Sequence, residues 1–378
     1  MVTERIRDFL RAHRSEHPYV VVDLDVIRTN FVRLSKALPE SRIYYAVKAN
    51  PAPEILHLLT TLGAAFDAAS LSEIEMVLAA GAPADRISFG NTIKKERDIA
   101  AAYGLGVRMF AVDSCEEVDK IARVAPSARV FCRILTDGAG AEWPLSRKFG
   151  CTPAMAVRVM RHADAHGLAA HGVSFHVGSQ QPDPHAWDSA LKDAAHVFRR
   201  LADHGITLKM VNMGGGFPAR YLKEVPAAQD YGKAIFGALR RHFGNRLPET
   251  IIEPGRGLVG DAGVIKAEVV LVSRKSDDAD AARWVYLDIG KFGGLAETMD
   301  EAIRYPIRTA RDGERTGPCI IAGPTCDSAD VLYENTPYEL PVSLTIGDEI
   351  WIEATGAYTT TYAANGFNGF APLKSYVI

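Results

Sequence analysis

From about residue 20 to residue 260, two patterns of apolar positions take turns along the chain. Short runs of aromatic and branched residues recur, separated by Ala- and Leu-rich stretches with helical spacing. Eight runs read as strands: Ile43–Lys48, Ala64–Ala68, Ile87–Phe89, Arg108–Val112, Arg129–Leu135, Val173–Val177, Leu208–Asn212 and Thr250–Glu253. Several stretches between them open on helix-start signals. Ser70-Leu71-Ser72-Glu73 and Ser114-Cys115-Glu116-Glu117 fit capping boxes, and Thr152-Pro153 fits an N-cap followed by proline at the first helical position. Eight alternations in this length predict a (β/α)8 barrel; a doubly wound sheet explains the count less naturally.

After about residue 260 the pattern changes. Val264–Arg274, Trp284–Ile289, Cys319–Ala322 and Glu349–Glu353 read as strands joined by turns, which predicts a second, mainly β domain. The run Pro18–Leu24 is strand-like and precedes the barrel, so it is expected to join that domain. The expected division is residues 1–23 with the β domain, 24–260 as the barrel and 261–378 as the β domain. No repeat of about 20–50 residues and no low-complexity linker interrupts this plan.

Composition narrows the function classes. Of 378 residues, 47% are hydrophobic and 24% charged, as in ordinary soluble proteins. A net charge of −3 offers no basic surface for nucleic acid or an anionic membrane. No apolar run approaches a membrane span, and the N-terminal residues lack the apolar core of a secretory signal. The five cysteines, Cys115, Cys132, Cys151, Cys319 and Cys326, form no CxxC pair. That suits free thiols in a reducing cytoplasm and argues against a zinc site, so no metal is expected.

In a barrel of this kind the chemistry sits at the C-terminal ends of the strands. Here those ends are polar. The first run ends in Lys48, the second holds Asp67, the fifth Arg133, and the sixth His176 followed by Ser179. The seventh leads into Gly214-Gly215-Gly216 and the eighth into Glu253-Pro254-Gly255-Arg256. A lone lysine at a strand edge usually snorkels to water. Six polar ends converging on one mouth are hard to explain as packing. Strand alternation puts Tyr44, Ala46 and Lys48 on one face, and partial burial of the amine would make it a nucleophile suited to Schiff-base chemistry. The glycine run has neither P-loop nor dinucleotide-binding spacing. It is either a tight turn or a cradle of backbone N–H groups for a phosphate, with Arg256 as a second clamp. Glu253 either pairs with Arg256 or binds a protonated ring nitrogen. Lysine, phosphate site and carboxylate together point to pyridoxal phosphate.

The motifs YAVKAN, FDAASLSEIE, SFHVGSQ, GGGFP, EPGR, GPTCDSAD, GAYT and FNGF span nearly the whole chain. Together they resemble the fold-type III pyridoxal-phosphate decarboxylases of basic amino acids, most closely the ornithine decarboxylases. The resemblance implies an alanine-racemase-like barrel followed by a β-sandwich or Greek-key β domain. It implies conversion of ornithine to putrescine and carbon dioxide, and dual use of lysine is compatible with it. By the same resemblance Lys48 would link the cofactor, His176 stack on its ring and Glu253 pair with the ring nitrogen. Ser179, Gly215, Gly216, Gly255, Arg256 and Tyr358 would hold the phosphate, with Asp67 and Arg133 close by. Glu73 matches a family motif, although capping explains it equally well. Cys326 would return the proton and Asp327 bind the distal ammonium, both acting in the partner subunit's site of a homodimer. Tyr358, Phe367 and an acid at Asp300 or Glu301 would complete the substrate side, Asp300 being preferred.

Rival readings diverge at particular residues. An alanine racemase resembling this chain would place an arginine where Glu253 stands and a tyrosine acid where Cys326 stands. A diaminopimelate decarboxylase would carry glutamate after the cysteine instead of Asp327. A non-catalytic pyridoxal-phosphate-binding barrel would lack the β domain.

Overall fold

The computed structural model describes residues 2–143, 148–278 and 281–378. After strand β1 (Tyr19–Val22), eight strands follow in order: β2 (Ser41–Ala46), β3 (Ala65–Ala68), β4 (Ile87–Phe89), β5 (Met109–Val112), β6 (Arg129–Arg133), β7 (Ala169–Ser174), β8 (Met210–Asn212) and β9 (Glu249–Ile252). Each pairs in parallel with the next, and β2 with β9 closes the ring through Ile43 opposite Ile252. The expected (β/α)8 barrel is what these residues form. The strands are short and buried on both faces, as parallel strands flanked by helices must be. Tyr44, Ala65, Met109, Ala111, Phe131, Met210 and Ile251 fill the interior as one apolar cluster. Gly172 lets β7 approach β8: a Cβ there would stand 2.3 Å from the Met210 carbonyl oxygen.

The helix starts are partly as expected. Ser70, Ser114 and Thr152 each accept the N–H of the third residue of their helix. The return halves of the two expected capping boxes differ. Glu73 accepts the N–H of Ala69, one residue before the cap. The Glu117 carboxylate turns instead to Lys94 and Lys120, at 3.0 and 2.6 Å. A buried lysine beneath it needs a counter-charge more than the helix end needs a second cap.

By its contacts the chain divides into a barrel unit, Arg28–Pro218 with Val225–Gly257, and a β unit, Met1–Ile27 with Ala219–Glu224 and Leu258–Ile378. The β unit is built on β10 (Gly263–Arg274), β11 (Arg283–Leu287), β12 (Ile307–Thr309), β13 (Thr316–Ala322), β14 (Val331–Pro341), β15 (Glu349–Glu353) and β16 (Lys374–Val377). They form a mixed sheet in the order β12-β15-β10-β11-β13-β14, with β1 antiparallel to β10 and parallel to β16. Strand β10 serves two neighbourhoods. Its first half pairs with β1 and β15, its second with β11, and the register shifts between Val269 and Leu271. Strands β12, β14 and β16 lie outside the sequence expectations. Strand β14 carries Glu334, Asn335, Thr336 and two prolines, which break the alternation a strand is read from. A helix at Glu4–Ala12 was also unexpected; Ile6 and Leu10 bury against Tyr19, Val21 and Val264. Among the described residues, no helix is long and apolar enough to cross a membrane.

Candidate active site

The charged barrel candidates all lie at or just past the C-terminal strand ends, but not always on the strands. The first strand stops at Ala46, two residues before Lys48. Pro51 holds Asn50 extended, at φ −165° and ψ 107°, and the Asn50 N–H closes a 3-10 turn on the Val47 carbonyl. Lys48 rides on that turn and is exposed. Its direction therefore comes from the turn rather than from strand alternation, and the expected partial burial is corrected. The strand expected through Val177 likewise ends at Ser174, so His176 lies in the loop after β7. Glu253 is the first residue past β9.

The glycine run is shaped by close approach. Gly214 and Gly216 have φ of +65° and +100°, which favours glycine. A Cβ on Gly215 would stand 2.6 Å from the Glu253 carbonyl oxygen, and one on Gly216 2.6 Å from that of Gly178. The run is thus pressed between the loops after β7 and β9. Gly255 is buried in the bend that leads to Arg256. Arg256 is 3% exposed, and its Nε and Nη2 both donate to Ser179 Oγ at 3.2 Å. A buried guanidinium beside a hydroxyl and a glycine-rich loop is a donor set for a phosphate.

Next to this lies a cluster of ionisable groups. Burial pushes Glu253 up to about 8, with the charge of Asp67 adding to the rise. A hydrogen bond from Asn212 Nδ2 and the positive charges of Lys48 and Arg133 oppose it. Asp67 is also raised by burial, and is pulled back by Lys48, by a 3.1 Å hydrogen bond from Ser88 and by Arg133. Gly90 makes room for that carboxylate, since a Cβ there would fall 1.8 Å from Asp67 Oδ1. Burial lowers the pKa of the Arg133 guanidinium, while Glu253 and Asp67 support its charge. Burial holds His176 well below its ordinary value, and the charges of Arg133 and Lys48 act in the same direction. The Gly178 N–H donates to His176 Nδ1 at 2.9 Å. An N–H only donates, so Nδ1 is bare and the ring is a neutral plate.

The β unit holds the remaining candidates. Cys326 and Asp327 are exposed on the loop after β13. That loop is organised by Asp330, 2% exposed, which accepts the N–H of Lys291 and both the N–H and hydroxyl of Thr325. The Cys326 N–H donates to Asn368 Oδ1 at 2.9 Å, joining the loop to the Phe367–Gly369 turn. Phe367 packs on Phe292 with ring centroids 4.8 Å apart. Tyr358 is half-buried, with φ +55°. Asp300 and Glu301 both have positive φ. The Glu301 carboxylate accepts the backbone N–H groups of Glu334, Asn335 and Thr336 and pairs with Arg304 at 3.1 Å. Burial raises its pKa, and those N–H groups more than reverse the effect. Glu301 is thereby committed to holding the middle of β14, whereas Asp300 is exposed.

Residues 24–260 match the family model described as the pyridoxal binding domain of pyridoxal-dependent decarboxylases. The chain belongs to the pyridoxal-dependent decarboxylases. This decarboxylase is 33% identical over 364 residues to the lysine/ornithine decarboxylase of Selenomonas ruminantium, across 95% of this chain and 89% of that one. Its fold is similar to the crystal structure of SrLDC in complex with PLP and cadaverine, with TM-score 0.88, 32% identity and coverage of 100% and 94%. It is equally similar to the arginine decarboxylase of Paramecium bursaria Chlorella virus, with TM-score 0.89, 28% identity and coverage of 99% of each chain. The protein is a carboxy-lyase that uses pyridoxal phosphate.

The decarboxylase's own donor set fits that cofactor. Arg256, Ser179 and the glycine run suit a phosphate, and His176 offers a flat neutral face. Glu253, a buried carboxyl raised to about 8, suits a cationic ring N–H. Asn212 escaped the sequence reading. Its amide donates to Glu253 while its Oδ1 accepts the Gly214 N–H at 2.9 Å, so it ties the carboxylate to the glycine run. The available signal was an asparagine closing an otherwise apolar strand. Ser88, Gly90 and Asp330 also escaped it, because their partners are more than three residues away in sequence.

Proposed function

We propose that this decarboxylase converts L-ornithine to putrescine and carbon dioxide, with L-lysine to cadaverine as a slower second reaction. The reading rests most on Glu253, a buried carboxyl at the barrel mouth facing the charge of Lys48. An arginine in that place would weaken electron withdrawal and favour racemisation. The names of the relatives, lysine/ornithine and arginine decarboxylase, support a basic amino acid as substrate.

Each residue has a separate task. Lys48 is the amine that carries the cofactor and yields it to the substrate. Arg256, Ser179, Gly215, Gly216, Gly255 and Tyr358 hold the phosphate. His176 covers one ring face, and Glu253, oriented by Asn212, receives the ring N–H. Asp67 and Arg133 keep the local charge balanced. When bound, pyridoxal phosphate supplies the electron sink that lets carbon dioxide leave. Cys326 then delivers a proton to the substrate carbon, and Asp327 and Asp300 take the distal ammonium, with Phe367 beside them. Cys326 and Asp327 act in the partner's site of a homodimer. Five free thiols, with the sulfurs of Cys132 and Cys151 unbonded at 3.6 Å, suit a cytoplasmic enzyme.

The test is to incubate the holoenzyme with ornithine, lysine, arginine, diaminopimelate and alanine, measuring carbon dioxide and amine product. Ornithine should give the highest kcat/KM. Lysine should follow within about 10–200-fold, since one methylene is worth about 1–3 kcal/mol in a pocket. A preference for arginine or diaminopimelate, or racemised alanine without carbon dioxide, would overturn the proposal.

A further inference from the structure

We propose that Asp119, His162 and His166 form a binding site for a divalent transition-metal cation, zinc above all, on the outer helical layer of the barrel. The site is separate from the strand-end residues that serve decarboxylation.

His162 lies in the last turn of the helix Pro153–Ala165, and His166 caps that helix, four residues on. That spacing puts both rings on one face, with centroids 4.1 Å apart. Asp119 comes from the neighbouring helix Cys115–Val124. One ligand atom from each of the three residues lies within 4.8 Å of the other two. His162 Nε2 and Asp119 Oδ1 are 2.6 Å apart, a hydrogen-bonded pair in which a metal ion replaces the shared proton. In a tetrahedral zinc site with bonds of about 2.0–2.1 Å, ligand atoms stand about 3.3 Å from one another. The present separations bracket that value, and the side chains of His162 and Asp119 are 29% and 42% exposed, so their tips are free to adjust.

His166 carries the second indication. Its Nδ1 lies 2.8 Å from the carbonyl oxygen of His162. A carbonyl only accepts, so Nδ1 bears the hydrogen and Nε2 of the neutral ring keeps its lone pair. A metal-binding imidazole is commonly fixed in this way, one nitrogen donating to a backbone carbonyl and the other left for the ion. Two imidazoles and one carboxylate suit zinc, cobalt or nickel, whereas magnesium and calcium prefer all-oxygen sites. Water completes the coordination. No cysteine takes part, so the argument from cysteine spacing against a zinc site does not reach this one. The bound ion joins the helix after β5 to the helix after β6.

The experiment uses the pyridoxal-phosphate holoenzyme, stripped of metal by chelator and freed of chelator by gel filtration. Zinc is titrated calorimetrically, and cobalt is followed by its visible ligand-field bands. One zinc per chain is expected, with tetrahedral-type cobalt bands and a rise in Tm on adding zinc. His166→Ala and His162→Gln should lose the stoichiometric binding and the Tm rise while keeping wild-type decarboxylation in chelator. His166 is exposed at a helix end, so its variant should fold even if the other does not. Absence of stoichiometric binding, equal binding by His166→Ala, or magnesium binding as tightly as zinc overturns the proposal.

Discussion

The barrel mouth and the loops of the β unit present their chemistry in opposite ways. At the mouth, Asp67, Arg133, His176, Glu253 and Arg256 are buried or half-buried, and Asp67, Arg133 and Glu253 bias one another's charge states. In the β unit, Cys326, Asp327 and Asp300 are exposed. Neighbouring carboxylates organise the segments that carry them, the buried Asp330 under one loop and the half-buried Glu301 against the middle of β14. The contrast separates two functions. Cofactor binding needs preorganised dipoles out of water, and the barrel supplies them within one chain. The proposed return of a proton and recognition of an ammonium group need access to an arriving substrate, which exposed groups allow. That division is why the shared-site dimer is the natural proposal for Cys326 and Asp327.

The largest effect should come from the mouth. Lys48→Ala should abolish the absorbance of the lysine-linked cofactor and reduce turnover by several orders of magnitude; wild-type activity in that variant breaks the scheme. Across the divide, Cys326→Ala should lower kcat by about 10²–10⁴-fold with little change in KM or cofactor spectrum, as loss of a general acid does. Mixing the Lys48→Ala and Cys326→Ala proteins should raise activity above that of either, because in the proposed shared-site dimer a mixed pair contains one intact site. No rise on mixing would place both residues in the same chain's site. Arg256→Ala should weaken pyridoxal-phosphate affinity by about 10–100-fold, the value of charge-assisted hydrogen bonds of about 1.5–3 kcal/mol, as measured by equilibrium dialysis. Asp330→Ala should cost about 1–3 kcal/mol in urea unfolding by leaving buried donors unpaired, and should leave the cofactor spectrum unchanged.

The smallest effect is a pH dependence. Burial raises Glu253 from 4.5 to about 8, so the folded cofactor-free protein holds that proton more tightly than the unfolded chain does. The resulting stabilisation is complete below about 4.5 and lost as pH rises through about 8. Thermal scans of the cofactor-free protein should therefore show Tm falling across that window. Glu253→Gln should flatten this part of the profile, and a slope unchanged in the variant would assign the titration elsewhere.

Much of the barrel was legible because its signals are local. Period-two and period-3.6 patterns meet the eye within a dozen residues, and the strand-end polar residues follow from the topology once eight strands are counted. The β unit was less legible. Strand β14 hides behind prolines and polar residues, and its middle is held by Glu301, a residue the sequence offered as a substrate contact. Asn212 and Asp330 went unnoticed for the same reason: each acts through partners brought close by the fold.

The chain's own order of residues was enough to determine the barrel, its cofactor chemistry and the residues from Lys48 to Arg256 that gather at the mouth. Those depend on periodicity, on turn-forming glycine and proline, and on residue types with few alternative uses. Only the tertiary structure decided the rest. It moved Lys48 off the strand and onto an exposed turn, gave Glu253 its raised proton affinity, and released Asp300 by committing Glu301 to three backbone N–H groups. It also brought Asp119 beside two histidines more than forty residues away. Burial and electrostatic coupling are properties of neighbours in space, and a linear sequence does not state which neighbours those will be.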